Sequence, residues 1–370
     1  MRIIVGAAPA AGQPVHILNA RAAARRSGYL WKGPKRGLMT SLHLAVELDG
    51  DGARVSPRAL ADAVTAAESS GFSLVTFDDS PLPPGGGFRL DATGRAAYVS
   101  TLTDRVGLAA TSNVTTAEPF HLAAQLASLD HASHGRAAWI VAADGSAEAL
   151  ATIGGSKLDP AVLHREAADV VEVVRRLWDS WDDDAVIKDV ATGRYLDPDR
   201  VHHVDFTGAT FSVKGPLITP RPPQGRPVVL APDDLAEAVR PDVVLIGGTG
   251  LEDVRRRAQR ARESGAPLVF AEVEVLLGTD VPAGRLPHGD RLRYTGSAAG
   301  LTELLGWLAT SVDGVRLHAG VHATDLPVLI EEVLPALRKE NLLVAPEPGA
   351  TLRTSLGLPR PASRFAAGAA

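Results

Sequence analysis

Apolar positions along the chain switch repeatedly between two periods. Short runs rich in Val, Leu, Ile and Ala alternate with longer stretches whose apolar residues recur every three to four positions. The short runs read as buried strands at Ser41–Leu48, Ser73–Phe77, Val106–Ala110, Ala137–Ala143, Pro227–Ala231, Val243–Ile246, Leu268–Leu277 and Gly314–His318. Between them, helices are expected from Ser56-Pro57 to Gly71, within Asp91–Leu102, from Glu118-Pro119 to Gly135, and over Pro160–Trp181, Asp234–Val239, Glu252–Glu263, Ala298–Ser311 and Leu326–Lys339. The starts carry helix-initiating chemistry: a serine cap before Pro57, and a carboxylate beside Pro119. Eight strand–helix pairs predict an α/β fold, a (β/α)8 TIM barrel. An open doubly wound sheet is the runner-up, weakened because no Gly-x-Gly-x-x-Gly follows the first strand. Three stretches read as irregular: Thr111–Ala117 as a polar linker, Pro81–Gly87 as a Pro/Gly loop, and Gly278–Gly296 as a polar loop. A long excursion, Asp182–Gln224, follows the fourth helix and contains a small hairpin of Val201–Phe206 and Thr210–Val213 about Gly208.

Composition narrows the classes. The chain has 370 residues, a formal charge of −5 and no cysteine. Disulfides and thiolate metal sites are therefore excluded, and a dedicated nucleic-acid partner is disfavoured for want of a basic face. No apolar run approaches the roughly 20 residues that span a bilayer, so no membrane partner is expected and the cytoplasm is the default location. Residues 1–38 stand apart, with seven Lys/Arg and no acid. They read as a basic N-terminal extension, a disordered tail or a mis-assigned start before Met39, with residues 39–370 forming the barrel and a C-terminal tail.

In a barrel of this kind the site forms at the C-terminal ends of the strands. The polar residues there are Glu47 and Asp49, Asp78 to Ser80, Thr111 to Asn113, Asp144, Asp233-Asp234, Thr249, His318 and His322. No nucleophile elbow or P-loop is present. His131, His134, His202 and His203 lack the carboxylate spacing of a metal site, and no metal is expected.

Three segments carry a family resemblance. EPFHLAAQLASLDHASHGRAAW (Glu118–Trp139), the stretch Val170–Val229 containing LWDSW, and GATLRTSLGLPRPASRFA (Gly349–Ala366) resemble the luciferase-like flavin monooxygenases, nearest the nitrilotriacetate and dibenzothiophene-sulfone branch. With the element order, the resemblance spans about Ser41–Ala367. It implies an oxidoreductase that takes reduced FMN from a separate flavin reductase and uses O2 on a small organic substrate. It also implies a barrel that forms homo-oligomers. A deazaflavin F420-dependent oxidoreductase is a related possibility, and a non-catalytic partner subunit with weakened flavin binding is another. By position, the resemblance points to Asp79, Thr111, Ser112, Asn113 and His164 as cofactor-binding residues, with a non-proline cis peptide after the third strand. It leaves catalytic side chains unassigned; His43, His318 and His322 are candidates near the ring or substrate.

The departures concern the flavin phosphate. The family's Asn and Thr/Ser on the fourth strand are absent from Trp139–Asp144, and a phosphate-holding His falls on Pro160. The family's Gln-Ala-Gly-Ser-Ser after the fifth strand is here Leu230-Ala231-Pro232-Asp233-Asp234. Two carboxylates replace hydroxyls and a proline removes an amide, so a phosphate there meets repulsion of about 1 kcal/mol or more per close pair. Arg165, Arg226 and Arg240 are the cations that could compensate.

Overall fold

The computed structural model describes residues 41–48, 56–82, 89–277 and 290–366. The N-terminal extension, Asp49, and the loop stretches 83–88 and 278–289 lie outside the described residues. Eight parallel strands close into a barrel: β1 (Leu42–Glu47), β2 (Leu74–Phe77), β3 (Gly107–Asn113), β4 (Ala137–Ala142), β9 (Val228–Pro232), β10 (Val243–Ile246), β11 (Leu268–Leu276) and β13 (Gly314–Ala319). Closure is made by β1 pairing β13 and by β10 pairing β11, which removes the open doubly wound alternative. The fold is a (β/α)8 barrel.

The helices form where the sequence supplies caps. In α1 (Pro57–Ser70) Ser56 accepts from the Ala59 amide, and Gly71 ends the helix at φ 94, in the left-handed region. In α2 (Ala92–Ser100) Asp91 accepts from Gly94, and in α3 (Pro119–Ala132) the Glu118 carboxylate accepts from Phe120 and His121. A short α4 (Ala147–Ala151), which the apolar pattern does not predict, precedes α5 (Pro160–Trp178). The apolar stripe of α5, with Val170, Val174 and Trp178, packs outside β4, where Trp178 meets Trp139 edge-on and donates Nε1–H to the Ala123 carbonyl. The outer ring continues with α6 (Ala236–Val239), α7 (Leu251–Glu263) and α8 (Ala298–Leu308), the last capped by Ser297 accepting from Gly300.

Strand alternation separates two cores. Outward residues such as Leu44, Val46, Leu108 and Val315 pack under the helices. Inward residues Ala45, Leu74, Ala109, Ala138, Leu230, Leu245 and Phe270 fill the lower barrel. Gly314 faces Phe270 so closely that a Cβ there would lie 2.5 Å from the ring. The floor is sealed by α11 (Leu352–Ser355), whose Leu352, with Leu356 just beyond it, joins the inner core. At Gly107 a Cβ would meet Leu74 and Leu352 at 2.4 and 2.6 Å, so this close approach requires glycine.

Four readings are corrected. Thr111–Asn113 belong to β3 rather than to a linker, because their backbones pair with Ile140–Ala142; ladder bonding overrides side-chain polarity. The stretch read as a polar loop contains β12 (Leu292–Thr295), which pairs with Val273–Leu276 where β11 outruns β10. The excursion holds two hairpins: β5 (Val186–Asp189) with β6 (Arg194–Leu196), beyond the one expected, and β7 (Phe206–Thr207) with β8 (Ser212–Val213), shorter than expected. The last barrel helix starts earlier, as α9 (His322–Val328), and reaches α10 (Leu334–Lys339) through a π-helical stretch, Leu329–Val333; Pro327 and Pro335 withdraw amides from the regular ladder.

The C-terminal segment is clasped by buried polar contacts. Arg353 pairs with Asp242 at 2.9 Å and donates Nε–H to the Arg226 carbonyl. Gln224 accepts from the Arg353 amide and donates to Asp130, whose carboxyl is pushed up to about 6 by burial. Removing the guanidinium takes the ion pair from Asp242 and leaves it the Val229 amide and the Arg175 charge. Arg353→Ala is expected to lower unfolding free energy by about 3 kcal/mol, measured by urea denaturation; a loss below about 1 kcal/mol would contradict this role for the clasp.

Candidate functional site

The inward face turns polar at the C-terminal ends of the strands. Above Ala45, Ala109 and Phe270 stand Thr76, Thr111, Glu272, Glu274, Arg316 and His318, each at an inward position by alternation with that core. Arg316 is 4% exposed; its Nη1 donates to Glu272 at 2.9 Å and its Nε to the Thr76 hydroxyl at 3.0 Å. His318 Nε2 lies 3.2 Å from the same Glu272 oxygen. Glu274, 2% exposed, pairs with Arg291 at 3.4 Å and Arg293 at 3.1 Å, both brought in by β12 and its approach.

The charge states follow from these contacts. Burial alone would raise the Glu272 carboxyl, but the His318 hydrogen bond and the Arg316 and Arg291 charges outweigh it and hold it well below the usual carboxylate range. Burial, then the Arg316 charge, lowers His318, so its imidazole is neutral. A neutral ring donating Nε2–H to Glu272 leaves Nδ1 as an acceptor.

Two buried polar atoms here have no hydrogen-bond partner among the described residues: Arg316 Nη2 and the Thr111 hydroxyl. Leaving such groups unpaired costs about 1–3 kcal/mol each, which a ligand in the barrel mouth would recover. These donors suit the polar edge of a flavin ring, and Ala142, at the upper end of β4, is a small, half-buried residue.

The anticipated site residues distribute unevenly. Thr111 and Asn113 share the inward face of β3, whereas Ser112 lies on the opposite face. Asn113 Oδ1 accepts from the Thr115 amide at 3.0 Å. The Thr115 hydroxyl lies 2.6 Å from that oxygen and 2.7 Å from the Asp144 carbonyl, and its single proton serves one at a time. The Asp79 carboxylate accepts from the Ala92 and Ser80 amides, capping α2, and its carboxyl is raised by burial. His164 sits in the second turn of α5, half-buried and without a hydrogen bond to another described residue. His43 lies at the opposite end of the barrel, stacked on Phe270. His322 opens α9 with a buried, unpartnered Nε2. The cis peptide among the described residues is Gly215-Pro216; none follows β3. No group of three or more metal-ligating side chains occurs among the described residues.

Glu272, Glu274, Arg291, Arg293 and Arg316 escape a reading of the sequence. Their signal is present in it: two acids at period two within the apolar run Leu268–Leu276, and Arg316 two residues before His318 within Gly314–Ala319. A charge at an inward position of a buried strand requires a partner inside the barrel.

The fifth-strand end does not match a phosphate cradle. Pro232 has no amide hydrogen, and the Asp233, Leu235 and Ala236 amides donate to Leu245, Pro232 and Asp233 carbonyls. Gly247 lets the chain at Asp290 pass where a Cβ would lie 1.9 Å from its carbonyl, and the Gly248 amide donates to that carbonyl. Arg257 is shared among Asp233, Asp253 and Asp290. Of the cations considered for compensation, Arg226 and Arg240 precede β9 and β10 at the other end of the barrel, where Arg226 pairs with Asp179; Arg240 still lines the cavity that borders Asp233 and Asp234, and Arg165 stands exposed in the second turn of α5. A cavity of about 1430 Å³ bordered by Asp233, Asp234, Arg257, Glu272 and Glu274 runs beside β10 toward the outer surface.

Comparison with known proteins agrees with this architecture. The luciferase-like monooxygenase family matches residues 35–276. One of the subunits of pristinamycin IIA synthase from Streptomyces pristinaespiralis is 31% identical over 328 residues, covering 89% of this chain and 99% of that one. N-acetyl-S-(2-succino)cysteine monooxygenase of Bacillus subtilis (strain 168) is 37% identical over 174 residues, 45% of this chain but only 40% of the relative's length. Among solved structures, a long-chain alkane monooxygenase superposes with a TM-score of 0.76 at 19% identity, covering 86% of this chain and 96% of that one, a likeness of fold. The chain therefore belongs to the luciferase-like monooxygenase family.

Proposed function

We infer that this chain is a flavin-dependent monooxygenase that receives reduced FMN from a separate flavin reductase and oxygenates a small organic substrate. The observation that carries the reading is the pair of unpartnered buried donors, Arg316 Nη2 and the Thr111 hydroxyl, in the mouth of a luciferase-like barrel. When bound, a reduced flavin supplies the activation of O2. The chain's own part is to hold the ring and exclude water. Thr111 would donate to the ring's polar edge, Arg316 is fixed by Glu272 and Thr76, and His318 would offer Nδ1 as an acceptor.

One observation favours a second reading. The relative matched over nearly its whole length is named as one of the subunits of a synthase, and the family's phosphate donors are missing here. In that reading the chain is the partner subunit of a catalytic chain. Anaerobic titration with reduced FMN, and with F420 in parallel, separates the two: micromolar binding of FMN by the isolated chain supports the enzyme, and no binding of either cofactor supports the partner.

Two variants test the assigned residues. Thr111→Val keeps the shape and removes the hydroxyl; it should weaken flavin binding by about fivefold to tenfold, read by fluorescence quenching, and an unchanged dissociation constant would remove Thr111 from the site. Glu272→Gln leaves the Arg316 charge unpaired. The Glu272 carboxyl lies below its ordinary 4.5 in the folded chain, so its ion pairing stabilises the fold above pH 4.5 and is lost as the pH falls through the depressed value. The variant should be about 3 kcal/mol less stable at neutral pH, with the gap narrowing below pH 4.5. A gap that is constant with pH would contradict the pairing.

A further inference from the structure

We propose that the mouth of this barrel reads a flavin by its ring alone and turns away the terminal phosphate, so that riboflavin binds at least as tightly as FMN. The proposal rests on the flavin-binding reading above and extends it to the form of cofactor admitted.

A dianionic phosphate is held by free backbone amides, hydroxyls or unshared cations. The turn after β9 offers little of this among the described residues, for the Asp234 amide that is left is flanked by the Asp233 and Asp234 carboxylates. Pro232 lacks a donor, and the amides of Asp233, Leu235 and Ala236 are already committed within the turn and to Leu245. The next turn is committed as well: the Gly248 amide donates to the Asp290 carbonyl at 2.6 Å. Asp233 and Asp234 stand where hydroxyls would serve, and Asp290 adds a third carboxylate. Of the cations lining the cavity, Arg257 has its charge divided among Asp233, Asp253 and Asp290. Arg291 faces Glu272 and Glu274 instead. A phosphate entering here finds few free donors and meets an excess of negative charge, because six carboxylates line the cavity against four guanidiniums. At the other side of the mouth the requirements are reversed, because Thr111 and Arg316 retain unpartnered donors suited to the neutral or anionic edge of an isoalloxazine ring.

The test compares riboflavin and FMN, oxidised and anaerobically reduced, binding to the full chain at low and high salt, followed by fluorescence or absorbance. The expected result is that FMN binds no more tightly than riboflavin at low salt. Its affinity should rise toward that of riboflavin as salt screens the carboxylates. The double variant Asp233→Ser with Asp234→Ser restores hydroxyls and removes one of the three carboxylates that share Arg257. It should improve FMN binding by about tenfold while leaving riboflavin within about twofold. FMN binding about tenfold tighter than riboflavin to the wild-type chain would overturn the proposal while leaving the function standing, and this comparison decides even if the variant does not fold. Binding of neither flavin would overturn both.

Discussion

A guanidinium inside a closed barrel must find its counter-charge inside that barrel. Arg316 is nearly inaccessible, held on β13 between β1 and β11. Glu272, on the adjacent strand and in register with Arg316, answers that demand, and His318 and Thr76 complete the coordination. The consequences spread outward. Glu272 must stay ionised, His318 must stay neutral, and β11 must run past the end of β10 to carry Glu274 to β12 and its arginines. The polar mouth is thus a consequence of where the apolar filling stops. Below it, Phe270, Leu245 and Leu230 occupy the interior and α11 closes the floor; above it, the residues can face a ligand.

Much of this arrangement is legible in the chain without coordinates. The eight apolar runs and the capped helices between them follow from short-range chemistry, such as Ser56 before Pro57 and Glu118 before Pro119, and these elements occur where periodicity puts them. What escapes depends on contacts distant in sequence. Thr111 to Asn113 look like a linker because their side chains are polar, yet their amides and carbonyls pair with β4. β12 has too few residues for a period to emerge, and becomes a strand because β11 presents an unpaired edge there. The central ion pair joins residues 44 positions apart, and no local rule links Glu272 to Arg316. The acids within an apolar strand are visible, but their meaning requires knowing which face points inward.

The two ends of the implied flavin site are legible to different degrees. At the ring end, the resemblance directs attention to the end of the third strand, and the structure puts Thr111 and Asn113 on one inward face with Ser112 turned away. Asp79 is committed to capping α2. At the phosphate end, the sequence already displays the loss of hydroxyls at Asp233-Asp234. The structure adds that the Asp233, Leu235 and Ala236 amides are spent and that Arg257 is shared among carboxylates rather than held ready for an anion. A barrel that keeps one end of a binding site and rebuilds the other has changed what it asks of its ligand without changing its fold.

The most direct test of this account is a crystal structure of the full chain grown with FMN. The account predicts the ring in the barrel mouth, within hydrogen-bonding distance of the Thr111 hydroxyl and Arg316 Nη2, with its phosphate directed away from Asp233 and Asp234. A ring bound elsewhere, or a phosphate seated on the turn after β9, would contradict it.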